Sequence, residues 1–280
     1  MERPLWTEKV PSIQWNTVNM LNCQIIRAAN EAHIDPHDVI IVGGIAVFHH
    51  ALSVLGQKAA TYWRGTHDID LVITQRGAAQ QIMTVLSNQS GKKTIENIEA
   101  NSSHFSDKDT WTVEVVGNGS LGKSQRRIDI DIYRPKNDEQ QTTKFNQRTL
   151  GRYPGNFITR PVKMVTIGKS CQSPKAALPC LTDCLILKLD VAALSSKLRD
   201  KDILDVLLLT AISERKGINP RDVFHPAVDN FFRFSSQATS HTVAQAIRSL
   251  PKNGQRNDRG AGFSPSCSYL DSCIRAIGKY

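Results

Sequence analysis

Short apolar runs bounded by glycine or polar turns mark the first half of the chain and predict β-strands. Residues 38–42 (DVIIV) form a β-branched run that ends at Gly43-Gly44, as a buried strand does where it enters a glycine turn. Apolar residues then recur at helical spacing as far as Gly56, which predicts a helix over 45–55. The first segment is therefore expected to read strand, glycine turn, helix.

The same patterns predict further elements along the chain. Strict alternation of polar and apolar residues indicates half-buried strands, and an apolar spacing of three to four indicates helices. The predictions are strands over 68–74, 111–116, 127–133 and 157–167 and a helix over 78–86.

The period becomes helical from Leu181 onward. Helices are predicted over 181–194, 198–212, 219–232 and 242–250, and the polar, glycine-bearing stretch after Pro251 predicts a mobile tail. We expect an α+β fold in which a small mixed β-sheet core with flanking helices precedes an all-helical C-terminal half. The expected division is a core with an N-terminal extension over 1–170, a helical domain over 171–250 and a tail over 251–280.

Composition places the chain among ordinary globular proteins. It has 280 residues, of which 40% are hydrophobic and 22% charged, which excludes a disordered or collagen-like chain. The sequence has no apolar run near the ~20 residues that span a bilayer, and no signal-peptide pattern. The six cysteines include no Cys-x2-Cys pair, so reduced thiols are expected. A soluble cytoplasmic protein follows, without membrane association; the sequence predicts no oligomeric state.

Positive charge is concentrated in one segment. The formal net charge is +9, and residues 121–170 alone hold 11 basic and 4 acidic residues. Such an excess permits a polyanionic ligand such as a nucleotide or RNA. A solvated basic surface is the alternative.

Two carboxylate pairs stand on predicted strands. In Asp68-Ile69-Asp70 the two-residue period puts both acids on one face, and Asp129-Ile130-Asp131 repeats the geometry. A solvent-facing strand end is the alternative for either pair alone. If the two strands are neighbours, however, three or four carboxylates converge, and a hard divalent cation is the usual partner of such a cluster.

The glycine turn supplies a second component. Backbone N–H groups at Gly43-Gly44, where a helix begins, can cradle a phosphate, although an ordinary helix-entry turn explains two glycines equally well. A glycine turn, a helix and then clustered carboxylates together have the layout of a metal-assisted phosphoryl-transfer site.

These motifs resemble the nucleotidyltransferase superfamily related to DNA polymerase β. The long spacing from Gly43-Gly44 to residues 64–71 (RGTHDIDL) is similar to the AbiEii toxin-like and aminoglycoside nucleotidyltransferase branches. The strand over 127–133 resembles the one that bears the third catalytic acid, and residues 199–205 resemble a Lys-Asp-x-x-Asp helix that follows the core. The chain departs from the family at Gly44, where many relatives have serine.

The resemblance implies transfer of a nucleoside monophosphate from an NTP to a hydroxyl acceptor, with release of pyrophosphate. It implies two Mg²⁺ ions, for which Mn²⁺ could substitute, and an RNA or tRNA end, a protein or a small molecule as acceptor. The implied catalytic acids and metal ligands are Asp68, Asp70 and Asp131, with Asp129 as the other candidate on its strand. The implied nucleotide-binding residues are Gly43, Gly44, Arg64, Thr66 and Lys201.

Several alternatives stay open at the level of the sequence. A catalytically inactive nucleotide- or nucleic-acid-binding module with the same fold is the competing hypothesis. Arg64 is as well suited to a salt bridge as to a phosphate. Asp202 and Asp205 fit a solvated helix face as well as a site, and His49-His50 fit packing or surface positions.

Overall fold

The computed structural model describes residues 12–75, 77–88, 95–101, 108–119, 122–133, 163–167, 174–194, 200–222 and 265–277. Strands and helices alternate irregularly along these ranges. The strands are β1 (Val39–Ile41), β2 (Asp68–Ile73), β3 (Ile95–Asn101), β4 (Lys108–Gly119), β5 (Gly122–Tyr133), β6 (Lys163–Thr166) and β7 (Lys175–Leu178). The helices are α1 (Ser12–Glu31), α2 (Gly43–Leu55), α3 (Ala59–Tyr62), α4 (Ala78–Asn88), α5 (Leu181–Leu194), α6 (Asp200–Arg215) and α7 (Cys267–Ile277).

The strands form one seven-stranded mixed sheet in the order β3-β4-β5-β2-β1-β7-β6. β2 runs parallel to β5 and antiparallel to β1, and β1 runs parallel to β7. Long antiparallel ladders join β4 to β5 and β3 to β4. The mixed sheet with its helices agrees with the expected α+β class.

The centre of the sheet is apolar because both of its faces are covered there. Every residue of β1 is buried, and so are Ile69 and Leu71 of β2. Helix α2 packs against β2 and against α5 and α6, while α1 packs against α4. Trp63 closes the end of this core, since its ring lies 4.8 Å from the ring of Phe48 on α2. Strand β2 thus runs from a polar end into the middle of the core.

The predicted strands and helices of the first half are confirmed within a few residues. The strand expected over 157–167 is described only as β6, and the strands β3 and β7 and the helix α1 were not predicted. β3 lacks strict alternation, and its register with β4 shifts between Ile95 and Asn97.

The C-terminal half is described in part. Helices α5 and α6 agree with prediction, but residues 223–264, which include most of the two further predicted helices, lie outside the described residues. Helix α7 falls within the predicted tail; its residues Leu270 and Cys273 are buried, and Tyr269 donates a hydrogen bond to the carbonyl of Ile218 at 2.7 Å. The proposed domain boundaries stay predictions.

Two properties expected from composition can be checked within the described ranges. None of the helices there has both the length and the apolar character needed to span a bilayer. The cysteines at 23, 180, 184 and 273 are free thiols.

Candidate functional site

The two carboxylate pairs face each other across neighbouring strands. β2 and β5 pair in parallel with Asp68 opposite Asp129 and Asp70 opposite Asp131. Because paired residues of a parallel ladder point to the same side of the sheet, all four carboxylates lie on one face. The conditional expectation that these strands are neighbours is confirmed.

Strand β4 supplies hydroxyl groups to this face. Thr110 donates a hydrogen bond to Oδ1 of Asp131 at 3.0 Å, and Thr112 donates one to Oδ1 of Asp129 at 2.8 Å. Asp129 is exposed, whereas Asp131 is half-buried. The sequence reasoning missed both threonines, although their alternation with the apolar Trp111 was a signal for a polar strand face.

Tyr133 is a second missed residue on the same face. It lies opposite Val72, two residues further into the sheet than Asp131, and its hydroxyl hydrogen-bonds with Asp70. Burial and the negative charges of the neighbouring aspartates raise the pKa of Tyr133, so the phenol stays protonated and holds the inner carboxylate by donating to it.

The glycine turn lies directly against the inner carboxylate. Gly43 has φ +63°, and a Cβ added there would lie 2.0 Å from Oδ2 of Asp70. Both the left-handed backbone and the close approach require glycine. The backbone N–H of Val42 also donates to the carbonyl of Asp70 at 3.0 Å. The N-terminus of α2 is thereby fixed beside the acids.

The first turn of α2 can attract an anion. Its N-cap residue, Val42, makes no side-chain capping hydrogen bond, and the first N–H groups of a helix together with its dipole favour negative charge. The turn thus offers a phosphate-binding position within contact of Asp70.

Thr66 fills the space beside the second glycine. A Cβ on Gly44 would lie 2.9 Å from both Cβ and Oγ1 of Thr66. Thr66 is buried, and its hydroxyl donates a hydrogen bond to Oδ1 of Asp68. A serine at Gly44 would therefore collide with Thr66, whose own hydroxyl lies at the same place.

The Arg64 side chain lies beside the glycine turn and binds helix α6. It donates to Asp205 through Nε at 3.0 Å and through Nη2 at 2.7 Å. Lys188 of α5 lies 2.7 Å from Asp205 and 3.7 Å from Asp202. Both aspartates are 1% exposed, so the solvated-face interpretation of these two residues is wrong. The structure thus places Arg64 in a salt bridge.

Nearby cations help to lower the pKa of Asp68, which is the outer carboxylate of β2. Burial alone would raise the pKa of Asp68, but the hydrogen bond from Thr66 and nearby positive charge outweigh it and lower that pKa. The cations that contribute are Lys201, Lys188 and Arg64. Asp68 is therefore ionised near neutral pH and available as an oxygen ligand.

The remaining predicted residues have simple placements. Lys201 is half-buried at the start of α6, with its charge near Asp68. His50 is buried and donates from Nε2 to the carbonyl of Pro179 at 3.0 Å, and His49 is mostly buried, which agrees with a packing role. His67 is exposed.

The donor set fits a hard divalent cation in its chemistry. It offers carboxylate oxygens on adjacent strands, which Mg²⁺ and Mn²⁺ prefer. Among the described residues, however, no three acidic, histidine or cysteine side chains are already gathered as a metal site. Asp68 and Asp131 accept hydrogen bonds from threonines instead. Because a carboxylate has two oxygens with several acceptor sites, one that accepts from a threonine can also ligate a metal ion.

Comparisons with known proteins identify similar structures. No family model and no curated protein matches the sequence. The chain is similar to JHP933 from Helicobacter pylori, with 11% identity, a TM-score of 0.48 and coverage of 96% of this chain and 94% of that one. An antigenic nucleotidyltransferase-like protein from Paracoccidioides brasiliensis matches with 16% identity, a TM-score of 0.43 and coverage of 96% and 99%.

A polyadenylate synthase of Megavirus is also similar, with 8% identity, a TM-score of 0.39 and coverage of all of this chain but 52% of that one. Similarities at this level carry no argument about activity, and the AbiEii-like branch stays a prediction.

Proposed function

We propose that this protein is a metal-dependent nucleotidyltransferase that moves a nucleoside monophosphate from an NTP to a hydroxyl acceptor. The observation that carries the proposal is the register of β2 and β5, which sets Asp70 opposite Asp131 and beside the glycine turn. Phosphoryl transfer needs charge neutralisation and in-line positioning. The carboxylates and the glycine turn, which are proposed to meet these two needs, lie side by side here.

The proposed metal ligands are Asp68, Asp70 and Asp131. Mg²⁺ at these carboxylates would neutralise triphosphate charge and polarise the α-phosphate. Asp131 is proposed to accept the proton of the acceptor hydroxyl, whose oxygen forms the new bond to the α-phosphorus while the bond to the β-phosphate breaks. Gly43 and Gly44 are proposed to bind the departing pyrophosphate through their backbone N–H groups.

The third acid is proposed to be Asp131 rather than Asp129. Asp131 lies opposite Asp70, the carboxylate in contact with Gly43, whereas Asp129 is exposed and lies opposite Asp68. We expect Asp131→Asn to abolish metal-dependent NTP turnover and Asp129→Asn to reduce it much less. The two variants make a matched pair because each keeps the shape of the side chain and the neighbouring threonine. The reverse ranking would assign the role to Asp129.

The proposed acceptor is an RNA or tRNA end. The excess of basic residues over 121–170 supports this choice, although Arg127 within it is engaged with Glu114 at 2.8 Å. RNA binding should weaken with salt, with a log–log slope of about −0.7 per neutralised phosphate on single strands. Absence of binding at low salt would leave a protein or a small hydroxylated molecule as acceptor.

The experiment that tests the function uses purified protein with each labelled ribonucleoside triphosphate and Mg²⁺. Total RNA, protein and metabolite fractions are supplied in parallel. Transfer of label to one fraction, with release of pyrophosphate, is the expected result. NTP binding without transfer to any fraction would instead support the inactive binding module.

A further inference from the structure

Four charged side chains are buried together between the loop that precedes β2 and helices α5 and α6. Asp205 is the acceptor they share, since it binds Arg64 through both carboxylate oxygens and also Lys188 at 2.7 Å. Asp202 completes the group at 3.7 Å from Lys188. Their side chains are 14% exposed or less.

Stability alone does not account for this group. Apolar side chains of similar volume would fill the same space with equal or better stability, because burying charges costs nearly as much as their pairing returns. What a buried ion pair does provide is one fixed geometry, since a planar guanidinium held at two points has a single orientation. The question is what that orientation holds in place.

Arg64 connects α6 to the loop that carries the nucleotide-site residues. Its Nε also lies 3.0 Å from the carbonyl of Lys201, and its Nη1 donates to the carbonyl of Gly65 at 2.7 Å. Nη2 lies 3.5 Å from the position that a Cβ on Gly44 would occupy. The side chain is thus surrounded by the first turn of α6, the loop and the glycine turn.

The contacts continue from the loop to the outer carboxylate. Gly65 has φ +89°, a conformation that needs an external restraint because glycine has many others to adopt. Thr66 follows it, is buried, and donates to Asp68. A loop released from Arg64 would move Thr66, and with it the carboxylate.

We propose that Asp205 is a positioning residue for the transfer reaction: it fixes Arg64, which sets the loop so that Thr66 holds the Asp68 carboxylate in place. The inference rests on the proposed function. It also gives the cations of the site different roles, because Arg64 already binds Asp205 and two backbone carbonyls. Lys201, whose charge lies near Asp68, is then a cation that can meet the triphosphate.

Steady-state kinetics separate these roles. Asp205→Asn and Arg64→Gln should each lower kcat about 10- to 100-fold with KM for NTP changed less than about threefold, and the double variant should be no worse than either single one. Lys201→Ala should instead raise KM about tenfold and largely keep kcat. Additive losses in the double variant, or an effect of Asp205→Asn on KM alone, would overturn the proposal.

Asp202→Asn is the matched control. It makes the same chemical change on the same helix, beside the same lysine, whereas the two-point hydrogen bonding of Arg64 is made to Asp205. Its kcat should stay within about threefold of the wild type. A loss as large as that of Asp205→Asn would mean that any charge removed from the buried group slows the reaction, and positioning through Arg64 would be wrong.

Amide hydrogen exchange tests the same claim without turnover. Asp205→Asn and Arg64→Gln should speed exchange at residues 65–67, and Asp202→Asn should not. An inactive wild type would contradict the proposed function while the exchange pattern still decides whether Asp205 orders the loop. If Asp205→Asn does not fold, Arg64→Lys keeps the charge but loses the two-point contact; an unchanged kcat and unchanged exchange in that variant would overturn the proposal.

Discussion

At the scale of single residues, the site depends on how closely the glycine turn approaches the carboxylates. Gly43 touches Asp70, and Gly44 touches Thr66, where any side chain would collide. The two glycines are therefore required for different reasons. Gly43 has a positive φ as well as a collision, whereas Gly44 has the collision alone.

Gly43→Ala should destabilise the fold more than Gly77→Ala does. Both glycines have positive φ, but nothing lies within 4 Å of a Cβ on Gly77. The shared backbone strain costs about 1–2 kcal/mol, and the collision with Asp70 should add about 1–3 kcal/mol at Gly43 alone. Urea unfolding of the two variants measures the difference. Equal losses would show that Asp70 is free to move away from the turn.

Gly44→Ser should be rescued by shortening its neighbour. The added side chain meets Thr66 at 2.9 Å, so the single variant should lose about 1–3 kcal/mol of unfolding free energy. Gly44→Ser combined with Thr66→Ala removes the close contact with Oγ1, leaves the one with Cβ, and returns a hydroxyl to the turn. The double variant should be more stable than Gly44→Ser; if the two losses simply add, the side chains do not compete for one space.

At the scale of helices and strands, His50 joins α2 to the segment that follows β7. It is 6% exposed and its Nε2 donates to the carbonyl of Pro179 at 3.0 Å. Burial lowers the pKa of His50 from 6.5 to about 4, while the Pro179 contact works in the opposite direction. Burial, and not this hydrogen bond, therefore keeps the imidazole neutral, because a protonated ring would donate to the carbonyl as well.

The lowered pKa of the buried His50 predicts a loss of unfolding free energy in mild acid. Because the folded-state pKa of His50 is depressed, the unfolded chain takes up a proton first, and stability falls as the pH drops from about 6.5 toward 4. At pH 5 the loss should be about 2 kcal/mol for this group. Urea unfolding at pH 7 and pH 5 should show a smaller acid loss in His50→Gln than in the wild type, whereas His37→Gln, at an exposed position, should keep the wild-type loss. Equal losses in all three proteins would contradict the neutral buried imidazole.

At the scale of the whole molecule, the sequence predicted what depends on local pattern. The carboxylate-bearing parts of β2 and β5, residues 68–71 and 127–132, alternate between polar and apolar, so their faces could be assigned before their pairing was known. Strand β7 (KAAL) carries no such signal; it is a strand because it pairs between β1 and β6.

The site was predictable to the same extent. Its acids and glycines lie within the strands and the glycine turn that local pattern predicts. The contact between Asp205 and Arg64, in contrast, joins residues 141 positions apart. The same helical spacing fits an exposed acidic face and a buried ion pair, and only tertiary packing decides between them. The role of Tyr133 was hidden for a similar reason, because a tyrosine at the end of an alternating strand is ordinary until its hydrogen bond to Asp70 is known.

The central claim is that the carboxylates beside the glycine turn carry out nucleotidyl transfer. Pyrophosphate release from NTP with Mg²⁺ and total RNA, compared between the wild type and Asp70→Asn, tests it most directly. We expect release by the wild type and a loss of at least about a hundredfold in the variant, with the variant still folded by circular dichroism. Equal release by the two proteins would show that the reaction does not use this site.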